Sequence, residues 1–211
     1  MEKLTIVISG LPGSGSSTIS KLLAHKLNLD YFGAGRLFKD ISKGTYKEQY
    51  YFKEFNKLCL QRNLLIPQLK AKDDSTAAYN LWNTEFGKSK KLNNIIDKLQ
   101  EDLGKKGNIV IDGKIAIFIV KNATLKIWFK ADFDIRAIRT KQRDDISLEK
   151  AKEFLSKREE IEKLELNKIY NFNLLDQEKI ADLVIDTTKI SSEEILNIIL
   201  KKLKNISNTN Q

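Results

Sequence analysis

The chain has 211 residues, 41% of them hydrophobic and 31% charged, and its 37 lysines and arginines against 28 acidic residues give a net charge of +9. That balance fits a soluble globular domain with its own core, and no stretch reaches the ~18 consecutive apolar residues of a membrane span. A single cysteine, Cys59, excludes an internal disulfide, and a lone histidine, His25, leaves no cluster with metal-ligand spacing. The positive charge calls for an anionic partner, either nucleic acid or a small phosphate ester.

The first element, Leu4 to Ser9, is a β-branched apolar run that ends at Gly10 and predicts a buried parallel strand. It is too short for the core of a signal peptide, so a cytoplasmic protein is expected. From Ser16 the apolar positions Ile19, Leu22, Leu23 and Leu27 recur at helical spacing, and Tyr31-Phe32 reads as the next strand. The stretch from Lys43 to Lys91 is irregular, contains Pro67 and is rich in aromatic residues; it is expected to be a mainly helical insert with a small aromatic core of its own. Three further strands follow at Asn108–Asp112, Leu125–Phe129 and Leu183–Asp186. Helical patterns cover Leu92–Leu103, Ile135–Gln142, Leu148–Leu166 and Ser191–Leu203, the last opened by a capping box of Ser191 and Glu194. Strands alternating with helices predict a three-layer α/β fold around a central parallel sheet. The polar tail from Asn205 is expected to fray.

Between the first strand and helix lies "GLPGSGSST", Gly10 to Thr18. The phosphate-binding pattern G-x-x-x-x-G-K-[ST] is met by Gly10, Gly15 and Ser17, while Ser16 takes the place of the lysine. Main-chain N–H groups of such a loop, backed by a helix N-terminus, make a concave anion site. The loop residues Gly10, Leu11, Pro12, Gly13, Ser14, Gly15, Ser16, Ser17 and Thr18 are therefore candidates to hold phosphate groups, with the Ser17 hydroxyl as an Mg²⁺ ligand. Loss of one preorganised cation costs ~2.7–4 kcal/mol of transition-state stabilisation unless another supplies it. Arg136, Arg139 and Arg143, spaced to share one helix face, and Arg158 are the candidate catalytic cations; the other reading of these arginines is a solvated basic surface.

Most of the chain resembles the archaeal-type cytidylate kinases. In that family the loop commonly reads G-x-x-G-S-G-T-T-T, so the absent lysine is a family variant. "YFGAGRLFKD" is similar to the segment ending A-G-x-x-F-R, "IVIDGK" falls on its E-G-R, "LKIWF" on its K-I-W-L strand, and the basic run through "KREEIEK" on its lid. The resemblance implies a P-loop kinase fold in one domain, with a helical acceptor-binding insert over residues 36–104, longer than usual, and a helical lid over residues 140–165. It implies transfer of the γ-phosphoryl of ATP to CMP or dCMP with Mg²⁺, by a monomer whose partners are small nucleotides rather than nucleic acid. Lys39, Lys114 and Glu162 are the implied acceptor-side residues. Asp97 either accepts a hydrogen bond from the acceptor nucleoside or merely caps its helix. Lys39 and Lys114 replace arginines and lose the bidentate fork, and Glu165 reverses the sign of a basic position. A different acceptor, or a non-catalytic nucleotide-binding regulator, are the competing readings.

Overall fold

A computed structural model describes residues 3–67, 69, 81 and 84–209. Five strands form one sheet in the order β2-β3-β1-β4-β5, all parallel: β1 (Thr5–Gly10), β2 (Asp30–Gly33), β3 (Ile109–Asp112), β4 (Leu125–Lys130) and β5 (Leu183–Asp186). β1 is central, with Ile8 in register with Asp112 of β3 and Ile127 of β4. A parallel sheet covered on both faces needs apolar residues pointing both ways, and the alternation of β1 supplies them. Ile6 and Ile8 enter one apolar cluster with Ile127 and Phe129, whereas Val7 enters the other with Ile111 and Trp128.

Helix α1 (Ser16–Leu27) and the C-terminal α10 (Ser192–Thr209) cover the first face, where Ile19, Leu23, Ile195 and Ile199 are buried. The second face is covered by α2 (Ala34–Lys43), α3 (Phe52–Gln61), α5 (Lys90–Lys106) and the short α6 (Ala116–Ile119). A short α4 (Glu85–Lys88) precedes α5. The other α-helices among the described residues are α7 (Phe133–Asp144), α8 (Leu148–Tyr170) and α9 (Gln177–Ile180). The expected three-layer α/β architecture around a central parallel sheet is thus present.

Two expectations are corrected. Among the described aromatic residues of the 43–91 stretch, Tyr46, Tyr51 and Phe55 join the main cluster rather than a separate core, and the Tyr51 ring meets Phe32 of β2 edge-on at 5.0 Å. Continuing the sheet's apolar face removes more surface from water than a detached cluster could. Residues 68, 70–80 and 82–83 of that stretch lie outside the described residues. The C-terminal tail does not fray at Asn205, because α10 runs to Thr209 and Ile206 packs against the core. Among the described residues no helix is long and apolar enough to cross a membrane.

Candidate active site

The loop between β1 and α1 takes its shape from two glycines in the left-handed region. Gly13 has φ +81°, and a Cβ there would come within 3.0 Å of Arg136; Gly15 has φ +92°, and its missing side chain faces open space. Any other L-residue at either position would be strained. Gly15 is the N-cap of α1, whose first turn carries no acidic residue, so the positive end of the helix remains open to an anion. A cleft of about 370 Å³ opens there, within the size range of small-molecule sites. Gly13 to Ile19 form its base, Arg139, Thr140 and Arg143 of α7 one wall, and Thr187, Ile190 and Ile195 the other. Two of its hydroxyl oxygens, Ser14 Oγ and Thr140 Oγ1, are buried without a partner.

The expected arginines separate into different roles. Arg139 donates from Nη2 to the Thr187 carbonyl at 2.6 Å and from Nη1 to its hydroxyl at 3.0 Å, which holds it on the cleft wall. Arg143, also on the wall, is paired with Asp144. Arg136 is 4% exposed and turned away from the cleft: it donates to the carbonyls of Ala131 and Pro12 and pairs with Glu159 of α8. Its guanidinium braces the outside of the loop because Gly13 lies directly against its backbone. Arg158 lies on α8 and pairs with Glu162.

At the end of β3, Asp112 stands opposite the first turn of α1. Ser17 Oγ donates to Asp112 Oδ2 at 2.5 Å, and Tyr31 Oη lies 3.4 Å from the same oxygen. Burial pushes the Asp112 carboxyl above the usual range, against the hydrogen bonds of Ser17, Ser16 and Tyr31 and the charge of Lys21. A hydroxyl beside a buried carboxylate is an oxygen donor set suited to Mg²⁺, which takes one or two protein oxygens and completes its shell with phosphate and water. Among the described residues no group of three or more His, Cys, Asp or Glu side chains forms a dedicated metal cage. Ser16, at the lysine's position, lines the cleft beside Ser17.

Lys114, two residues beyond Asp112, pairs with Glu162 of α8. Burial pushes the Lys114 ammonium down to about 8, with Glu162 pulling it up and Arg158 pushing it further down. Burial also works against the charge of Glu162, but Lys114 and Arg158 outweigh it and hold the carboxyl below the usual range. Asp97 on α5 accepts a hydrogen bond from Tyr170 Oη at 2.7 Å, at the far end of α8, and burial pushes its carboxyl up to about 6. Lys39 lies half-buried on α2. The sequence reading passed over Asp112, Tyr31, Glu159 and Thr187. Asp112 carried a usable signal, being the polar residue that ends an apolar strand; the other three become visible only when the chain is folded.

The profile of the cytidylate kinase-like family matches residues 5–189. The chain belongs to this family. It is 32% identical to the cytidylate kinase of Methanocaldococcus jannaschii over 207 residues, covering 96% of this chain and 99% of that protein. The cytidylate kinase of Pyrococcus horikoshii is 31% identical, with 94% and 87% covered. Among solved structures, the shikimate kinase of Acinetobacter baumannii superposes with a TM-score of 0.53 over 97% of this chain and 94% of its own at 11% identity, which is a likeness of fold.

Proposed function

We propose that this cytidylate kinase-like chain transfers the γ-phosphoryl of ATP to CMP or dCMP. The observation that carries the reading is that Asp112, bonded to Ser17 of the phosphate cradle, lies two residues from Lys114 of a second basic group. The cradle of Gly13 to Ser17 opens into a cleft flanked by Arg139 and Arg143; the end of β3 sets Asp112 beside Ser17, and Lys114 in the loop that follows shares Glu162 with Arg158. Donor and acceptor phosphates bound at these two places would approach each other over Ser17 and Asp112. The choice of CMP rests on the named activity of the family relatives.

In this mechanism the main-chain N–H groups of the loop bind the donor phosphates, and Arg139 and Arg143 neutralise charge from the α7 wall. Ser17 and Asp112 would hold Mg²⁺, which when bound neutralises charge on the donor phosphates. Lys114 and Arg158 bind the acceptor phosphate, whose own oxygen is the nucleophile, so no strong general base is required. The lid, residues 140–165, excludes water from the transferring group. An acceptor panel with Mg-ATP tests the proposal: CMP or dCMP should yield its diphosphate with release of ADP. Turnover of another monophosphate alone would change the acceptor, and ATP binding without turnover of any acceptor would leave a regulatory role.

A further inference from the structure

Glu162 is an acid in a place where a phosphate-gripping site calls for cations. It is 5% exposed, and its Oε1 takes both the Lys114 ammonium and the Arg158 guanidinium, the latter through Nε at 2.6 Å. Its Oε2 is buried without a hydrogen-bond partner. A carboxylate cannot itself grip a phosphate monoester, since unit like charges at 4 Å repel by ~1 kcal/mol in water and ~4 kcal/mol near a protein surface. Its value lies in what it does to its two partners. Lysine and arginine each carry ~2 kcal/mol of rotamer entropy, and a lysine is a flexible point charge that finds no geometry of its own. Left alone, the two cations would also repel each other.

We propose that Glu162 is a positioning residue for the acceptor phosphate: it clamps Lys114 and Arg158 side by side before substrate arrives. The inference rests on the kinase reading and deepens its acceptor side. The manner of the contact favours it. Glu162 engages Arg158 through Nε, the inner nitrogen, so the two Nη groups stay outside the pair and keep the planar fork that suits a phosphate. The lysine at position 114 lacks such a fork, and a fixed carboxylate at its tip compensates for that loss of geometry. Both cations are thereby ordered in the free protein, which removes part of the ordering cost from binding.

The test is Glu162→Gln, with KM measured separately for each substrate and thermal unfolding recorded alongside. The acceptor KM should rise by about tenfold or more, while the ATP KM stays within about twofold. Adding Lys114→Arg to Glu162→Gln should recover much of the acceptor KM, because the fork orients itself. An unmoved acceptor KM, equal changes in both KM values, or no recovery in the double variant would overturn the clamp. Should the glutamine variant fail to fold, Glu162→Asp keeps the charge, draws it back by one methylene, and should give the same split. Wild-type turnover with an unmoved KM in the variant sinks the clamp and spares the kinase reading. If the wild type turns over no monophosphate, the kinase reading is what fails, and calorimetric titration with CMP then decides the clamp: weaker binding by the variant supports it, and equal or absent binding by both proteins overturns it.

Discussion

Gly15 exposes the phosphate loop to a single-residue test, because its φ of +92° excludes a Cβ on conformational grounds while the open space beside it is where the donor phosphates would lie. Gly15→Val should therefore abolish turnover, and an assay of ADP release that finds undiminished activity would refute the cradle. Arg139 is the second case. Its two nitrogens grip Thr187 and it stands on the cleft wall, where the proposed mechanism uses it in place of the absent loop lysine. Arg139→Lys keeps the charge but loses the fork, and kcat/KM for ATP should fall by roughly two powers of ten, as for loss of one preorganised donor. Arg136 offers the contrast. It braces the loop through the Pro12 carbonyl and Glu159, so Arg136→Lys should lower the unfolding midpoint together with activity, whereas Arg139→Lys should lower activity alone.

At the scale of elements, α8 meets α5 through the bond from Tyr170 to Asp97, and this contact has a pH signature. Burial lifts the Asp97 carboxyl from its ordinary value near 4 up to about 6, so between these values the folded chain holds a proton that the unfolded chain releases. The contribution of this group is thus fully present at acid pH and is lost as pH rises through about 6. Asp97→Asn keeps an acceptor for Tyr170 and removes the buried charge; it should raise stability at pH 7.5 by on the order of 1 kcal/mol and flatten the dependence between pH 4 and 6. Thermal melts across that range check it. The elements themselves were largely legible in the sequence. Strands announced themselves by β-branched runs such as Leu183 to Asp186, which is the observed β5, and the Ser191–Glu194 box closes with bonds of 2.8 and 3.2 Å. What the sequence concealed were partnerships between residues far apart in the chain. The spacing of Arg136, Arg139 and Arg143 announced a common helix face, but not that Arg136 would be buried against Pro12 while the other two reach the cleft. Periodicity identifies which side of a helix is basic; what that side meets depends on the fold around it.

For the whole molecule, the decisive question is how firmly α8 is held. Its buried side chains are few, chiefly Ala151, Leu155, Glu162 and Leu166, and its ties to the rest of the chain include three polar contacts: Glu159 to Arg136, Glu162 to Lys114, and Tyr170 to Asp97. Large apolar residues on its surface, Ile161 and Leu164, are about half exposed or more. Helix α1, by contrast, buries Ile19, Leu23 and Ala24 against the sheet. Segments with few buried apolar contacts open at lower free energy than the core, and opening of this helix would release the clamp on Lys114 and the brace on the phosphate loop together. Two substrates that engage Lys114 and the loop at once would favour its docked position, and each would ease the binding of the other. Hydrogen exchange should accordingly be faster in residues 148–170 than in 16–27, and should slow most in the presence of both a non-hydrolysable ATP analogue and CMP. Equal protection of the two helices without ligand, or no added protection from the pair, would mean that α8 is a fixed wall and that access to the site is governed elsewhere.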